Sequence, residues 1–221
     1  MIHFQNVTKD FDNQTALKDI SFSVDKGQMV FLTGPSGSGK TTLLKLIYLA
    51  ERPDNGEIII DGYDTSQIKD SGIPLVRRSI GIVFQDFRLL ENRTVFENIS
   101  IALRIRGIGE KETKTRTYDV LKNVNLRHKA DSYPKRLSGG EQQRVVIARA
   151  IVPEPVILLA DEPTGNLDPD TAEGVMNTFK NVHAKGTTIL IATHNRELYR
   201  NTGNKVLRLD SGNLIGEEFG R

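Results

Sequence analysis

Met29-Val-Phe-Leu-Thr33-Gly34-Pro-Ser-Gly-Ser-Gly39-Lys40-Thr41-Thr42 is the stretch on which the reading of this chain turns. The short apolar run Met29 to Thr33 reads as a buried strand, and the residues from Thr42 to Ala50 are apolar at helical spacing. Between them stands G-x-x-x-x-G-K-[ST], in the strand-to-helix setting that this pattern requires. Glycines there let backbone N–H groups turn inward at a helix N-terminus, where the macrodipole also favours negative charge. The expected result is a phosphate cradle built from Gly34, Pro35, Ser36, Gly37, Ser38 and Gly39. Lys40 would meet the β- and γ-phosphates of a nucleotide, Thr41 would offer its hydroxyl to Mg²⁺, and Thr42 would touch the α-phosphate.

Outward from this loop, strands are expected at Ile2 to Val7, Ile20 to Val24, Glu57 to Asp61, Ile80 to Phe84, Val156 to Ala160, Thr188 to Ala192 and Lys205 to Leu209. Helices are expected at Val95 to Ile105, Glu110 to Val124, Glu141 to Ile151, Thr171 to His183 and about Asn195 to Tyr199. Strands alternating with helices imply an α/β fold with a mostly parallel sheet, and the early alternating strands imply an antiparallel β flank. Residues 86–150 carry almost no strand signal and read as an inserted helical subdomain with hinges near Gln85 and Pro153. No repeat or Pro/Ser-rich linker divides the chain, so residues 1–221 are expected to be a single domain.

A second motif closes the same edge of the sheet. Val156-Ile-Leu-Leu-Ala-Asp161-Glu162 is an apolar strand ending in two carboxylates, placed where ligands of open α/β sheets bind. Asp161 suits a Mg²⁺-holding role, and Glu162, pointing to the other side, suits a base that polarises a water. His194 follows another strand end, in reach of a γ-phosphate. His3, His128 and His183 have no such company.

Composition narrows the function classes. Thirty Lys+Arg against 28 Asp+Glu leave a formal charge of +2 over 221 residues, with no run of like charges that would mark a nucleic-acid stripe. The absence of Cys excludes a disulfide framework, thiolate metal sites and a Cys nucleophile. No apolar run exceeds five residues and the N-terminus has no secretory h-region, so any membrane role is expected to come through a partner.

With these motifs in order, the chain resembles the ATP-binding-cassette (ABC) ATPases, P-loop NTPases, over essentially its full length. Leu137-Ser138-Gly139-Gly140-Glu141-Gln142 looks like the family's signature motif, a second anion-binding helix terminus. Gln85 resembles the glutamine that senses Mg²⁺ and joins the helical subdomain to the core. Asn166-Leu167-Asp168 matches the D-loop, and Phe11 sits where the family places an aromatic on the adenine. The resemblance implies ATP hydrolysis, with Glu162, His194, Lys40 and Gln85 in the reaction and Thr41, Gln85 and Asp161 at the metal. It implies nucleotide contacts from Phe11, the Gly34-to-Thr42 loop, Ser138, Gly139, Gly140, Glu141 and Asp168. It also implies a head-to-tail homodimer, or pairing with a related chain, in which each ATP lies between Lys40 of one copy and Ser138 of the other.

The commonest signature has Gln where this chain has Glu141, but Glu is usual in the subgroup that shares Asp161-Glu-Pro-Thr-Gly-Asn-Leu-Asp168. That subgroup pairs with four-helix-per-subunit membrane proteins and includes lipoprotein-releasing, macrolide-exporting and cell-division ATPases. Ile73-Pro-Leu-Val-Arg-Arg78 and Phe84-to-Asn98 look most like the cell-division branch, with Glu91 in place of an expected Pro. The implied setting is the cytoplasmic face of the inner membrane, with no direct nucleic-acid contact. Phe87, Leu89, Leu90 and the Val95-to-Ile105 helix are expected to line a groove for a short helix of the permease-like subunit. A soluble nucleic-acid machine on the same core would be expected to carry zinc-binding Cys, a long coiled coil or tandem cassettes, and none is present.

Overall fold

The computed structural model describes residues 1–12, 14–165 and 167–220. Among those residues the strands form two sheets. The antiparallel one has the order β2-β1-β4-β5, built from β1 (Ile2–Phe11), β2 (Gln14–Val24), β4 (Asn55–Ile60) and β5 (Tyr63–Asp64). The main sheet has the order β10-β9-β3-β8-β7-β6. Its members are β3 (Met29–Thr33), β6 (Ile80–Val83), β7 (Ile157–Asp161), β8 (Thr188–Ala192), β9 (Lys205–Asp210) and β10 (Asn213–Phe219). All pairs within it are parallel except β9 with β10.

The central strands are buried on both faces, and their side chains divide by parity. Val30 and Leu32, Ile157 and Leu159, Leu190 and Ala192 pack with the antiparallel sheet and with α1 (Lys40–Ile47). Met29 and Phe31, Leu158 and Ala160, Ile189 and Ile191 pack on the other face, against α5 (Gly139–Ile151) and α6 (Pro169–His183). The sheet is thus held between two apolar layers, which leaves only its strand ends open to chemistry.

A third apolar cluster lies off the sheet. It joins α3 (Val95–Arg104) and α4 (Glu110–Asn123) to the side of α5 bearing Val145 and Ala148 and to Val152 just past its end. Helix α5 also gives Val146, Ile147 and Ala150 to the main core, so it is common to both units. The expected helices at 95–105, 110–124, 141–151 and 171–183 all form, while the segment at Asn195 to Tyr199 is one 3₁₀ turn, Arg196–Leu198.

Besides short 3₁₀ turns, one α-helix and two strands among the described residues escaped the sequence reading: α2 (Ile73–Arg78), β5 and β10. Both strands follow two-residue turns in which each residue has positive φ, Asp61-Gly62 (51° and 86°) and Ser211-Gly212 (46° and 80°). These are hairpin turns of the primed type, whose twist matches that of the strands they join.

Candidate functional site

The phosphate loop is set by close approach. A Cβ built on Gly34 would lie 2.1 Å from the Leu209 carbonyl of β9, so no other residue fits there. Gly39, at φ 104°, occupies the left-handed region and would bring a Cβ to 2.7 Å from the Ala16 carbonyl. Helix α1 starts directly after it, two residues earlier than the apolar spacing had indicated, and Lys40 lies in its first turn. The Lys40 side chain is buried, and its Nζ donates to the carbonyls of Gly34 (2.8 Å) and Pro35 (2.9 Å). The loop is further braced by the C-terminal hairpin: the Gly212 amide donates to the Ser38 carbonyl, and the Gly212 carbonyl accepts from Lys18.

At the end of β7, the Thr41 hydroxyl donates to Asp161 Oδ2 at 2.8 Å, which joins the loop to the carboxylate strand. Burial pushes the Asp161 carboxyl above its usual range; the Glu162 charge adds to this, while the Thr41 hydrogen bond and Lys40 oppose it. Glu162 stands at φ 46°, and its side chain is largely buried. Its Oε1 lies 2.8 Å from His194 Nδ1, and the His194 backbone amide approaches Oε2 at 3.4 Å. A positive φ on a non-glycine residue is uncommon, and here it turns Glu162 out of the strand's alternation toward His194. Two adjacent carboxylates therefore face different partners, Asp161 the phosphate loop and Glu162 the imidazole.

A cleft of about 1060 Å³ opens above these groups. Of the expected residues it is lined by Phe11, Pro35, Ser36, Gly37, Gly39, Lys40, Thr41, Thr42, Gln85, Asp161, Glu162 and His194. Gly34 and Ser38 lie beneath the loop instead, with Ser38 buried and its hydroxyl unpartnered. Phe11 is 37% exposed and carries Lys9 over its ring at 5.1 Å. Sequence reasoning missed Gln14, Thr15, Ala16, Lys18, Gly165, Ser211 and Gly212, which also line the cleft. The Asp-Ser-Gly-Asn turn signal at 210–213 was the feature that could have found the last two.

The signature residues are not in that cleft. Ser138 caps α5 in a capping box, accepting from the Glu141 amide at 3.2 Å while Glu141 Oε2 accepts from the Ser138 amide at 2.8 Å. That backbone bond holds the Glu141 carboxyl below its usual range, and Lys129, 3.6 Å away, adds to it. Ser138 and Gly139 are exposed, and a Cβ on Gly140 would meet the Thr171 methyl at 2.3 Å, so α5 begins tightly against the start of α6. Asp168 also lies away from the cleft. Its side chain caps α6 by accepting from the Thr171 amide at 3.0 Å. Asn166 lies outside the described residues.

Beyond Gln85 the chain is fastened by two polar side chains that sequence reasoning did not single out. Arg149 of α5 donates to the carbonyls of Arg88 (2.7 Å) and Phe87 (3.0 Å), and burial lowers its pKa. Asn98 of α3 is fully buried; its Oδ1 accepts from the Leu90 amide at 2.7 Å, and its Nδ2 donates to the carbonyls of Leu90, Arg93 and Thr94. Of the expected groove residues, Phe87 and Leu89 tuck partly into the core clusters, and Leu90 is 42% exposed. The α3 face bearing Val95, Ile99 and Leu103 is buried inward, so it does not line an open groove.

The family model described as ABC transporter matches residues 17–165. The cell division ATP-binding protein FtsE of Bacillus subtilis is 47% identical over 219 residues, 99% of this chain and 96% of the relative. Its Escherichia coli K12 counterpart is 45% identical over 217 residues, 98% of each chain. Among solved structures, a dimeric ATP-binding cassette in a post-hydrolysis state bound to ADP and Pi superposes with a TM-score of 0.91 at 35% identity, covering 100% of this chain and 99% of that one. A dimeric bacterial ABC transporter cassette gives 0.92 at 36% identity, with the same coverage. Sequence and fold agree: the chain belongs to the ABC transporter family and is an ATP-binding ATPase cassette.

Proposed function

We propose that this chain is the nucleotide-binding subunit of an FtsEX-type cell-division complex, a Mg²⁺-dependent ATPase that works through an integral-membrane, FtsX-type partner. The observation that carries the enzymatic part is the Glu162–His194 contact at 2.8 Å on the rim of the cleft that Lys40 and Thr41 line. Glu162 accepts the proton of the attacking water, or orients that water, and His194 holds the carboxylate in place. Backbone amides of Ser36 to Thr42 cradle the phosphates, Phe11 stacks on the base, and Lys40 leaves its two carbonyls to meet the β- and γ-phosphates.

Mg²⁺ fits the donors present. Thr41 Oγ1 and Asp161 Oδ2 already converge at 2.8 Å, and Gln85 lines the same cleft. Among the described residues no cluster of three or more His, Cys, Asp or Glu forms an all-protein metal cage. One carboxylate and one hydroxyl beside a phosphate chain is the usual Mg²⁺ arrangement. Thr41, Asp161 and Gln85 would hold the ion, which would supply positive charge beside the phosphates.

Because Ser138, Gly139, Gly140 and Glu141 lie outside the cleft, a second copy supplies them, and ATP acts as a cross-link between the two copies. The dimeric state of the two solved cassettes supports this. Asp168 would reach nucleotide only across that interface. Residues 1–221 form one domain in this reading, with 86–150 as the helical subdomain. Among the described residues no helix is long and apolar enough to cross a membrane. In this reading, which rests on the FtsE relatives, the chain sits peripherally on the cytoplasmic face, held by its membrane partner at Leu90 and the half-buried Phe87 and Leu89.

The FtsE relatives, which match nearly end to end, favour the cell-division partner over a lipoprotein-releasing or macrolide-exporting one. Glu162→Gln protein is expected to bind ATP and to dimerise while turnover drops by about 10²-fold or more. Purified from detergent-solubilised membranes with ATP and Mg²⁺, it should bring down a four-helix membrane protein together with cell-wall or division proteins. Recovery of lipoprotein-release or export components would reassign the branch, and full turnover would remove Glu162 from its role.

A further inference from the structure

A second cavity, of about 400 Å³, lies at the opposite end of the main sheet from the nucleotide cleft. It is lined by Lys26 just before β3, by Pro155 and Val156 at the approach to β7, and by Lys185, Gly186 and Thr187 just before β8. Its other wall is α4 and the end of α5, where α5 runs into β7. Val120, Ile151, Val152, Val156 and Val182 give it an apolar interior.

The charges at its mouth are unevenly matched. Arg116 is held by Glu112 at 3.3 Å, by Glu154 at 3.5 Å and by the Val152 carbonyl at 3.2 Å. No ion pair among the described residues engages Lys26 or Lys185. The turns that carry these two lysines touch, since a Cβ on Gly27 would lie 3.9 Å from the Gly186 carbonyl. The Lys26 turn is also pinned, by His183 Nε2 on the Gly27 carbonyl at 2.8 Å and by the Gly27 amide on Thr188 Oγ1 at 2.9 Å. Two exposed lysines thus stand on adjacent turns, neither in an ion pair with a carboxylate, at the edge of a largely apolar pocket. Asp119, on the α4 wall, is the lining carboxylate that Arg116 does not hold.

We propose that this cavity binds a small amphiphilic carboxylate, with its head between Lys26 and Lys185 and its apolar body against Val120, Val152, Val156 and Val182. Concave, mostly apolar sites with a few convergent polar groups are the usual form of small-molecule sites, and this volume lies within their range. An occupant touching both walls ties the α4–α5 unit to the sheet at the junction from Val152 to Pro155.

The test is a methyl-NMR titration of the whole chain with decanoate, decylammonium and decanol as probes. Decanoate is expected to give saturable shifts confined to Val120, Ile151, Val152, Val156 and Val182, and to bind at least about tenfold more tightly than the other two. Lys26→Glu/Lys185→Glu should lose that advantage while still binding ATP, whose cleft is at the other end of the sheet. Equal binding of decylammonium, unchanged decanoate affinity in the charge-reversed protein, shifts centred elsewhere, or no saturation would each overturn the proposal.

Discussion

Replacing Asn98 by Ala tests how the segment beyond Gln85 is held. The Asn98 amide makes four hydrogen bonds, to the Leu90 amide and to the carbonyls of Leu90, Arg93 and Thr94. Two of those carbonyls keep another donor after truncation: Leu90 still accepts from the Arg93 amide, and Thr94 from the Asn98 amide. The groups left without a partner are the Leu90 N–H and the Arg93 carbonyl. An orphaned, part-buried group costs about 1–3 kcal/mol, and the small void adds to it, so Asn98→Ala should lose roughly 3 kcal/mol. Asn98→Asp keeps the acceptor for Leu90 but turns a carboxylate toward three carbonyls, which raises its folded pKa above the unfolded value. The native state then binds more protons than the unfolded one, so this variant should be least stable at neutral pH and should recover as pH falls toward 4. Urea unfolding followed by circular dichroism reads both, with an unchanged slope if the native state stays compact. Hydrogen exchange at the Leu90 amide should lose its protection in Asn98→Ala. A loss under about 0.5 kcal/mol, or an Asp variant that follows the parent's pH profile, would refute the network.

Arg149→Met should free the carbonyls of Phe87 and Arg88, cost about 2 kcal/mol in thermal unfolding and slow turnover, because Gln85 sits on the loop that Arg149 holds. Arg149→Lys should fall between, since one ammonium cannot reproduce the two-pronged contact. Gly34→Ala places a methyl on the Leu209 carbonyl and should abolish ATP binding in a fluorescent-nucleotide assay, together with much of the stability. Glu141→Gln can still accept from the Ser138 amide but loses its charge beside Lys129 and the α5 N-terminus, a loss of about 0.5 kcal/mol at pH 7. The lowered Glu141 pKa means that this contribution is present above the unfolded value and vanishes as pH falls through the folded one, so the two proteins should converge in acid unfolding curves.

What could be read from sequence were features with local causes. Met29–Thr33 and Thr188–Ala192 are short apolar runs buried on both faces, and the strands take up those residues without shift. The Gly34-to-Thr42 loop, the Asp161-Glu162 pair and the Ser138 cap announce themselves because the residues of each motif are neighbours in sequence. The missed strand β10 is mostly exposed and carries Glu217 and Glu218, so no periodicity marked it; only its turn did. Arg149 and Asn98 were invisible for another reason. An Arg in an amphipathic helix and an Asn after a capping box look like surface residues until the fold brings backbone carbonyls to them from 61 and 8 positions away. The Glu162–His194 contact lay between these cases, two motifs expected near one phosphate whose direct link only the positive φ at Glu162 revealed.

The bracing of the phosphate loop by the C-terminal hairpin bears on how the molecule comes into being. Leu209 fills the space that Gly34 leaves, and Gly212 bonds Ser38 and Lys18. The motif residues expected in the cleft all precede residue 205, yet part of the wall around the loop, Leu209 and Gly212, belongs to β9 and the turn that follows it. A chain cut before residue 205 would therefore keep the Gly34-to-Thr42 sequence but lose the Leu209 and Gly212 contacts that brace it, and is expected to hold that loop less firmly.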